Sequence, residues 1–410
     1  MDLVNSGDTA WVLASSALVL LMTPGLAFFY GGLVRSKSVV GVIMHSFMAM
    51  GIVGVVWVLW GYSLAFGPDW GSFIGKLDYV GLRNVSAVEA GPWADTIPHM
   101  TFVIFQGMFA IITPALITGA FVERMKFSAY IIFTIAWVTI VYAPMAHWVW
   151  GGGWLGGFGV MDFAGGAVVH MNSGLAALAA AIIVGRRLRH GQEPMDSHNV
   201  PFVILGASLL WFGWFGFNAG SALTAGGSAS LAFMVTNTAA AAAALTWVGL
   251  SWHFSGKPSA VGAAAGAVAG LVAITPAAGF VGPMPAIVIG MGAGAFCFGA
   301  MFLIRRLRID DSLDVFAVHG IGGTWGALAT GIFVAVGTAG AFDLGDIDRL
   351  EQVGKQIVGI AVTWGWSFTL TAAILLAIKH TIGLRVDDTT EEQGLDIAIH
   401  GDEAYPGTFH

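Results

Sequence analysis

Between Lys37 and Asp69 the chain carries no Asp, Glu, Lys or Arg, a stretch long enough to cross a bilayer as a helix. Charge-free windows of this kind recur along the whole length. Windows 9–34, 38–68, 96–122, 127–161 and 163–185 hold one helix each. Windows 197–256 and 258–304 hold two each, and 315–342 and 356–378 one each. The pattern predicts an all-α integral membrane protein of eleven transmembrane helices. In 127–161 the run "WVWGGGWLGGFG" predicts a glycine-rich return at the membrane surface after one helix.

The charges that remain test this count. Thirteen of the seventeen Lys and Arg follow odd-numbered helices, among them Arg35, Arg124, Arg187, Lys257, Arg305 and Lys379. The other four, Lys76, Arg83, Arg349 and Lys355, share their side with eleven acids. By the positive-inside rule the N-terminus is then outside and the C-terminus cytoplasmic. Only 10% of residues are charged, against about 25% in soluble proteins. Mean hydropathy is +0.79. No basic region precedes the first apolar run, so no cleavable signal peptide is expected. The single cysteine, Cys297, lies in an apolar run and reads as packing. Gly262, Gly266 and Gly270 recur at helical spacing and read as close helix packing. No basic stripe with interleaved aromatics speaks for nucleic acid.

Two histidines stand out against this background. "DFAGGAVVHMNSG" puts Asp162 at the start of a helix and His170 about 12 Å along it, near mid-membrane. "DVFAVHGIGG" repeats the Val-His step at His319, and each histidine is followed four places on by glycine, Gly174 and Gly323. An ionisable side chain at that depth is costly and tends to face a cavity or a partner. Under the topology above, helices 5 and 10 run oppositely, which predicts inverted repeats of helices 1–5 and 6–10 plus a final helix. Such repeats place a site near the bilayer midplane. A helix-to-helix hydrogen bond would explain one such histidine; two at symmetric depth favour function. Two histidines leave a metal short of ligands, and HExxH and CxxC are absent, so neither metal nor cofactor is expected. Asp162 and Asp314 are read as structural supports, each capping the helix that it opens.

These stretches, with "PGLAFFYGGLVRSK", "FQGMFAIITPALITGAFVER", "AHWVWGGGWL" and "WFGWFGFNAGSA", resemble the Amt/MEP/Rh superfamily of ammonium transporters on its bacterial and archaeal Amt side. The resemblance covers nearly the whole chain. It implies a membrane domain over 1–380, with repeats at about 9–185 and 199–340, a helix 11 at about 356–380, and a cytoplasmic regulatory tail over 381–410. It further implies an ammonium-binding site of Trp150, Ser221, Phe109 and Trp214, and a gate of Phe109 and Phe217. His170 and His319 are implied as a twin-histidine proton relay, with Asp162 as the supporting aspartate. Ala265 departs from the pattern, since relatives often carry a pore-lining Ser there. The implied partners are ammonium or ammonia, with methylammonium a further candidate, the lipid bilayer of the cell membrane, two further copies in a trimer, and a PII-type signalling protein.

The residue types suit this chemistry. Aromatic faces attract a cation at about 0.5–2 kcal/mol per contact. A Ser hydroxyl accepts an N–H that potassium lacks, and neutral ammonia crosses apolar space where a bare cation does not. Competing expectations are an ammonium sensor signalling through its cytoplasmic partner and an Rh-like neutral-gas channel. An enzyme is not expected, because no nucleophile or metal set is present.

Overall fold

The computed structural model describes residues 4–193, 195, 197–341 and 347–406. The helices, in chain order, are α1 (Ser6–Leu33), α2 (Ser36–Phe66), α3 (His99–Ala120), α4 (Phe127–Val149, in three continuous segments) and α5 (Gly166–Val184). They continue as α6 (Val200–Gly220), α7 (Gly227–Ser255), α8 (Ala260–Ile274) and α9 (Pro283–Arg306). The last long ones are α10 (Phe316–Ile321 joined to Gly322–Phe333) and α11 (Arg349–Thr381). Among the described residues, nine helical segments are long and apolar enough to cross a membrane; α8 is apolar but has 15 residues. The chain is a multi-pass integral membrane protein.

The expected "all-α" class needs one amendment. Residues 69–98 form two small antiparallel ribbons, Asp69–Trp70 with Ile74–Gly75 and Ala90–Gly91 with Ala94–Pro98. The glycine-rich segment after α4 turns through Gly151–Gly153 into a short helix, Trp154–Phe158. After α8 the chain turns at once, and the Pro276 carbonyl accepts from Phe163 N at 3.1 Å, just ahead of α5. That turn stops α8 short of a full span's length.

Glycine sets how closely the helices meet. A Cβ on Gly270 would lie 2.4 Å from the Ala239 carbonyl oxygen, so α8 packs on α7 backbone to backbone. On α5, a Cβ on Gly174 would lie 2.1 Å from Gly320 N. This contact draws α5 and α10 together at the level of their histidines. Both helices begin with a widened π-helical turn, Gly166–Met171 and Phe316–Ile321, that contains the histidine. Such turns interrupt regular winding and concentrate at functional sites.

One face is tied by buried charge. Glu123, 1% exposed, accepts from Arg35 and Arg187, and Arg187 also pairs with Asp310 at 2.9 Å. Buried Arg124 donates to the carbonyls of Ala120, Val122, Gly185 and Asp310. The segment after α11 folds onto this face. Glu391, on a short helix (Asp388–Gln393), pairs with Arg385 and accepts from Leu188 N. Asp396 accepts from Val40 N and Gly41 N at the start of α2. The part of the expected tail at residues 407–410 lies outside the described residues.

Candidate functional site

Two cavities of similar size approach each other from opposite faces. One, of about 300 Å³, is lined by Trp150, Ser221, Phe109, Gln106, Phe163 and Trp93. The other, of about 290 Å³, is lined by Tyr30, Ala265, Val318, Asp314 and His319 among others. A short column of rings separates them.

Trp150 sits where α4 ends. Its indole N–H donates to the Asp162 carbonyl at 2.8 Å, which fixes the ring. Phe109 meets it edge to face at 6.1 Å between ring centres. Phe109 and Phe217 then close on each other at 4.3 Å, both fully buried. Ser221 lies one helical turn beyond Phe217 on α6 and donates its hydroxyl proton to the Phe217 carbonyl at 2.8 Å. Its oxygen lone pairs are left for a donor in the cavity.

Beneath the phenylalanines, the His170 ring stacks on Phe217 at 5.7 Å. His170 Nδ1 and His319 Nδ1 are 3.3 Å apart and hydrogen-bonded. In neutral imidazoles one nitrogen donates and the other accepts, so one histidine presents N–H and its partner a lone pair. His170 Nε2 has no hydrogen-bond partner among the described residues, whereas His319 reaches the second cavity. The two histidines that the repeated Val-His step singles out are thus in direct contact.

Trp214 belongs elsewhere than the Trp150 cavity. It is 2% exposed, stacks on His170 at 5.3 Å, and donates to Thr275 Oγ1 at 2.9 Å. The reason is helical rise: Trp214 precedes Ser221 by seven residues, about 10 Å along α6. It walls the histidine level, below the phenylalanines.

The helix starts also correct one assignment. Asp162 accepts from four backbone amides, Oδ1 from Gly165 and Gly166 and Oδ2 from Ala167 and Val168, at 2.6–3.2 Å. In α10 the capping carboxylate is Asp311, not Asp314: Asp311 Oδ2 accepts from Phe316 N at 2.7 Å. Asp311 stands eight residues before His319, as Asp162 stands eight before His170. Asp314 occupies the place of Gly165, three residues after the cap. Both have left-handed backbone, with φ of 57° at Asp314 and 119° at Gly165. Asp is among the few residues that tolerate this conformation. Its side chain points away from the helix amides and pairs with Arg305 at 3.1 Å.

Adjacent carboxylates here differ sharply. Burial raises the Asp311 carboxyl to about 7, with the Asp314 charge adding to it. At Asp310 burial acts in the same direction, but hydrogen bonding to Arg187 and the charges of Arg124 and Arg187 outweigh it and hold the group well below the usual range.

With the two cavities and the paired histidines in place, sequence comparison supplies the lineage. The model of the Ammonium Transporter Family matches residues 10–405. The chain belongs to the ammonium transporter family. It is 50% identical to the ammonium transporter of Bacillus subtilis (strain 168), over 98% of this chain and 99% of that protein. The solved structure of Saccharomyces cerevisiae Mep2 superposes with a TM-score of 0.87 at 39% identity, covering 95% of this chain and 92% of that one. A solved sensor Amt protein superposes with a TM-score of 0.89 at 33% identity, covering 96% and 98%. Within this family member, Ala265 lines the second cavity, so no hydroxyl stands at that position.

Sequence reasoning missed Asp311, Gln106 and Phe163. The eight-residue spacing to the histidine would have found Asp311. Gln106 stands three residues before Phe109, on the same helical face, and would have been found by projecting α3.

Proposed function

We propose that this ammonium transporter recruits ammonium in the Trp150 cavity, deprotonates it, conducts ammonia past Phe109 and Phe217, and relays the proton through His170 and His319. The observation that carries this reading is the Nδ1–Nδ1 hydrogen bond of the histidines, seated between two cavities and roofed by two phenyl rings. Trp150 and Phe109 offer ring faces to a cation. Ser221 offers a lone pair that can accept one N–H of ammonium. Past the phenyl rings a bare cation would lose its water with no charge to replace it, whereas ammonia would not. The proton left behind has a path, because a donor–acceptor imidazole pair can pass it from one ring to the other.

In this reading the protein has eleven transmembrane helices, the N-terminus is outside, and the Trp150 cavity opens outward. The basic face that carries Arg35, Arg187 and the segment 381–406 is then cytoplasmic, in accord with the positive-inside rule. Helices α1–α5 and α6–α10 form inverted repeats, supported by the matched starts of α5 and α10. The protein assembles as a trimer with one pore per copy, and a PII-type protein engages the cytoplasmic face. Methylammonium, with one N–H fewer, is a secondary substrate.

A sensing role is the second reading, favoured by the likeness to a sensor Amt protein and by the ordered segment 388–396 against the basic face. The deciding experiment is current from purified protein in liposomes after ammonium and potassium pulses. Wild type gives an ammonium current and no potassium current. His170→Leu and His319→Leu assemble but lose the ammonium current. Wild-type currents and selectivity in both variants would reduce the histidines to packing.

A further inference from the structure

The Trp150 cavity has few polar side chains, and most of their capacity is spent. The Trp150 indole donates to Asp162, and the Trp93 indole donates to the Phe66 carbonyl at 2.9 Å. Indole N–H groups cannot accept, so neither serves a cation by hydrogen bonding. Ser221 brings one hydroxyl oxygen. An ammonium ion leaving water carries four N–H donors and must replace their acceptors.

Gln106 is the other polar side chain at this cavity wall. It is 8% exposed, and its Oε1 has no hydrogen-bond partner among the described residues. A buried amide with an unmet acceptor is uncommon, because the desolvated oxygen keeps its need for a donor. The surrounding residues, Phe102, Phe109, Val149 and Phe163, offer no N–H or O–H side chain. The amide can turn about its last bond and exchange oxygen and nitrogen within the same envelope.

We propose that Gln106 is a ligand of the transported ion, its amide oxygen accepting a second N–H beside Ser221. The inference rests on the transport reading above and deepens it. Two acceptors on different helices, α3 and α6, would replace two of the water acceptors that the ion's N–H groups lose on entering the cavity. Gln106 also lies one turn from Phe109 on α3, so an ion held there sits directly above the phenyl pair.

The test is a concentration series of ammonium-evoked currents in proteoliposomes, with tracer methylammonium uptake alongside. Gln106→Leu should raise the half-saturating ammonium concentration about tenfold, equivalent to about 1.4 kcal/mol, with little change in maximal current. Gln106→Glu keeps an acceptor and adds charge. It should half-saturate at or below the wild-type concentration and weaken the exclusion of potassium. If Gln106→Leu does not insert, Gln106→Met takes its place with the same expectation. Wild-type half-saturation in the apolar variant would overturn the proposal, as would equal loss of affinity in the apolar and Glu variants. An absence of both ammonium current and tracer uptake from wild type would instead overturn the transport reading itself.

Discussion

At the start of α5, one carboxylate binds four backbone amides and the left-handed residue beside it is glycine. At the start of α10, the equivalent carboxylate of Asp311 accepts from Phe316 N, its Oδ1 lacks a partner among the described residues, and the left-handed residue is Asp314. Spacing to the histidine is the same, yet the polar load differs. The α5 start joins the Trp150 cavity through the indole on the Asp162 carbonyl. The α10 start lies against the basic face and borrows Arg305 and the Asp310 network. The two starts share a backbone shape, while the charge around each differs with the face on which it stands.

Breaking the caps should separate the two starts most strongly. Asp162→Ala leaves four buried N–H groups without an acceptor, a loss on the order of 3 kcal/mol or more. Asp311→Ala removes the acceptor of Phe316 N and its weaker contact with Val315 N, fewer amides than at Asp162, at about 1–3 kcal/mol. Thermal unfolding of the detergent-solubilised protein should therefore rank Asp162→Ala well below Asp311→Ala. Equal melting temperatures would show that the two caps carry the same weight.

A gentler change sharpens the contrast through pH. The folded Asp311 carboxyl lies near 7, above its value of roughly 4 in an unfolded chain. The folded state thus favours the protonated form. Its contribution is present at low pH and is lost as pH rises from about 4 through 7. Asp311→Asn should remove that decline and melt a few degrees higher than wild type at pH 8. The same substitution at Asp162 turns an NH₂ toward two amide donors and should lower the melting temperature at that pH. A wild-type pH slope persisting in Asp311→Asn would place the decline on another group.

The smallest effect is expected at Asp314. Its carboxylate is a quarter exposed in the pair with Arg305, which is itself 60% exposed, so the ion pair is worth no more than about 1 kcal/mol. Asn tolerates the left-handed backbone. Asp314→Asn should leave melting and transport close to wild type, while Gly165→Leu, with φ of 119° and Val169 Cγ2 at 2.8 Å from the new Cβ, should not.

The same two helix starts show how far the chain could be read without its fold. The span-by-span apolar runs and the two Val-His steps were legible because burial in lipid excludes charge over whole windows. The pairing of Asp314 with Asp162 misread proximity as equivalence: "DVFAVH" places an aspartate near the histidine, but the repeat is set by backbone position, and that points to Asp311. The family resemblance groups Trp214 with the Trp150 site, whereas helical rise carries it to the level of His170. The ribbons at 69–98 and the seating of Asp396 on α2 depend on contacts between distant segments, which no local pattern encodes. Gln106 lies in an apolar run where one neutral amide leaves no break in the hydrophobic pattern.

If ammonia crosses and its proton crosses with it by way of the two histidines, charge and nitrogen must move together. The direct measurement is the ratio of charge moved to nitrogen moved, from current and tracer uptake in the same wild-type proteoliposomes at fixed pH. A histidine relay gives equal numbers of elementary charges and nitrogen atoms, with no current when potassium replaces ammonium. Tracer uptake at the same rate with no accompanying current would contradict it and leave a channel for neutral ammonia.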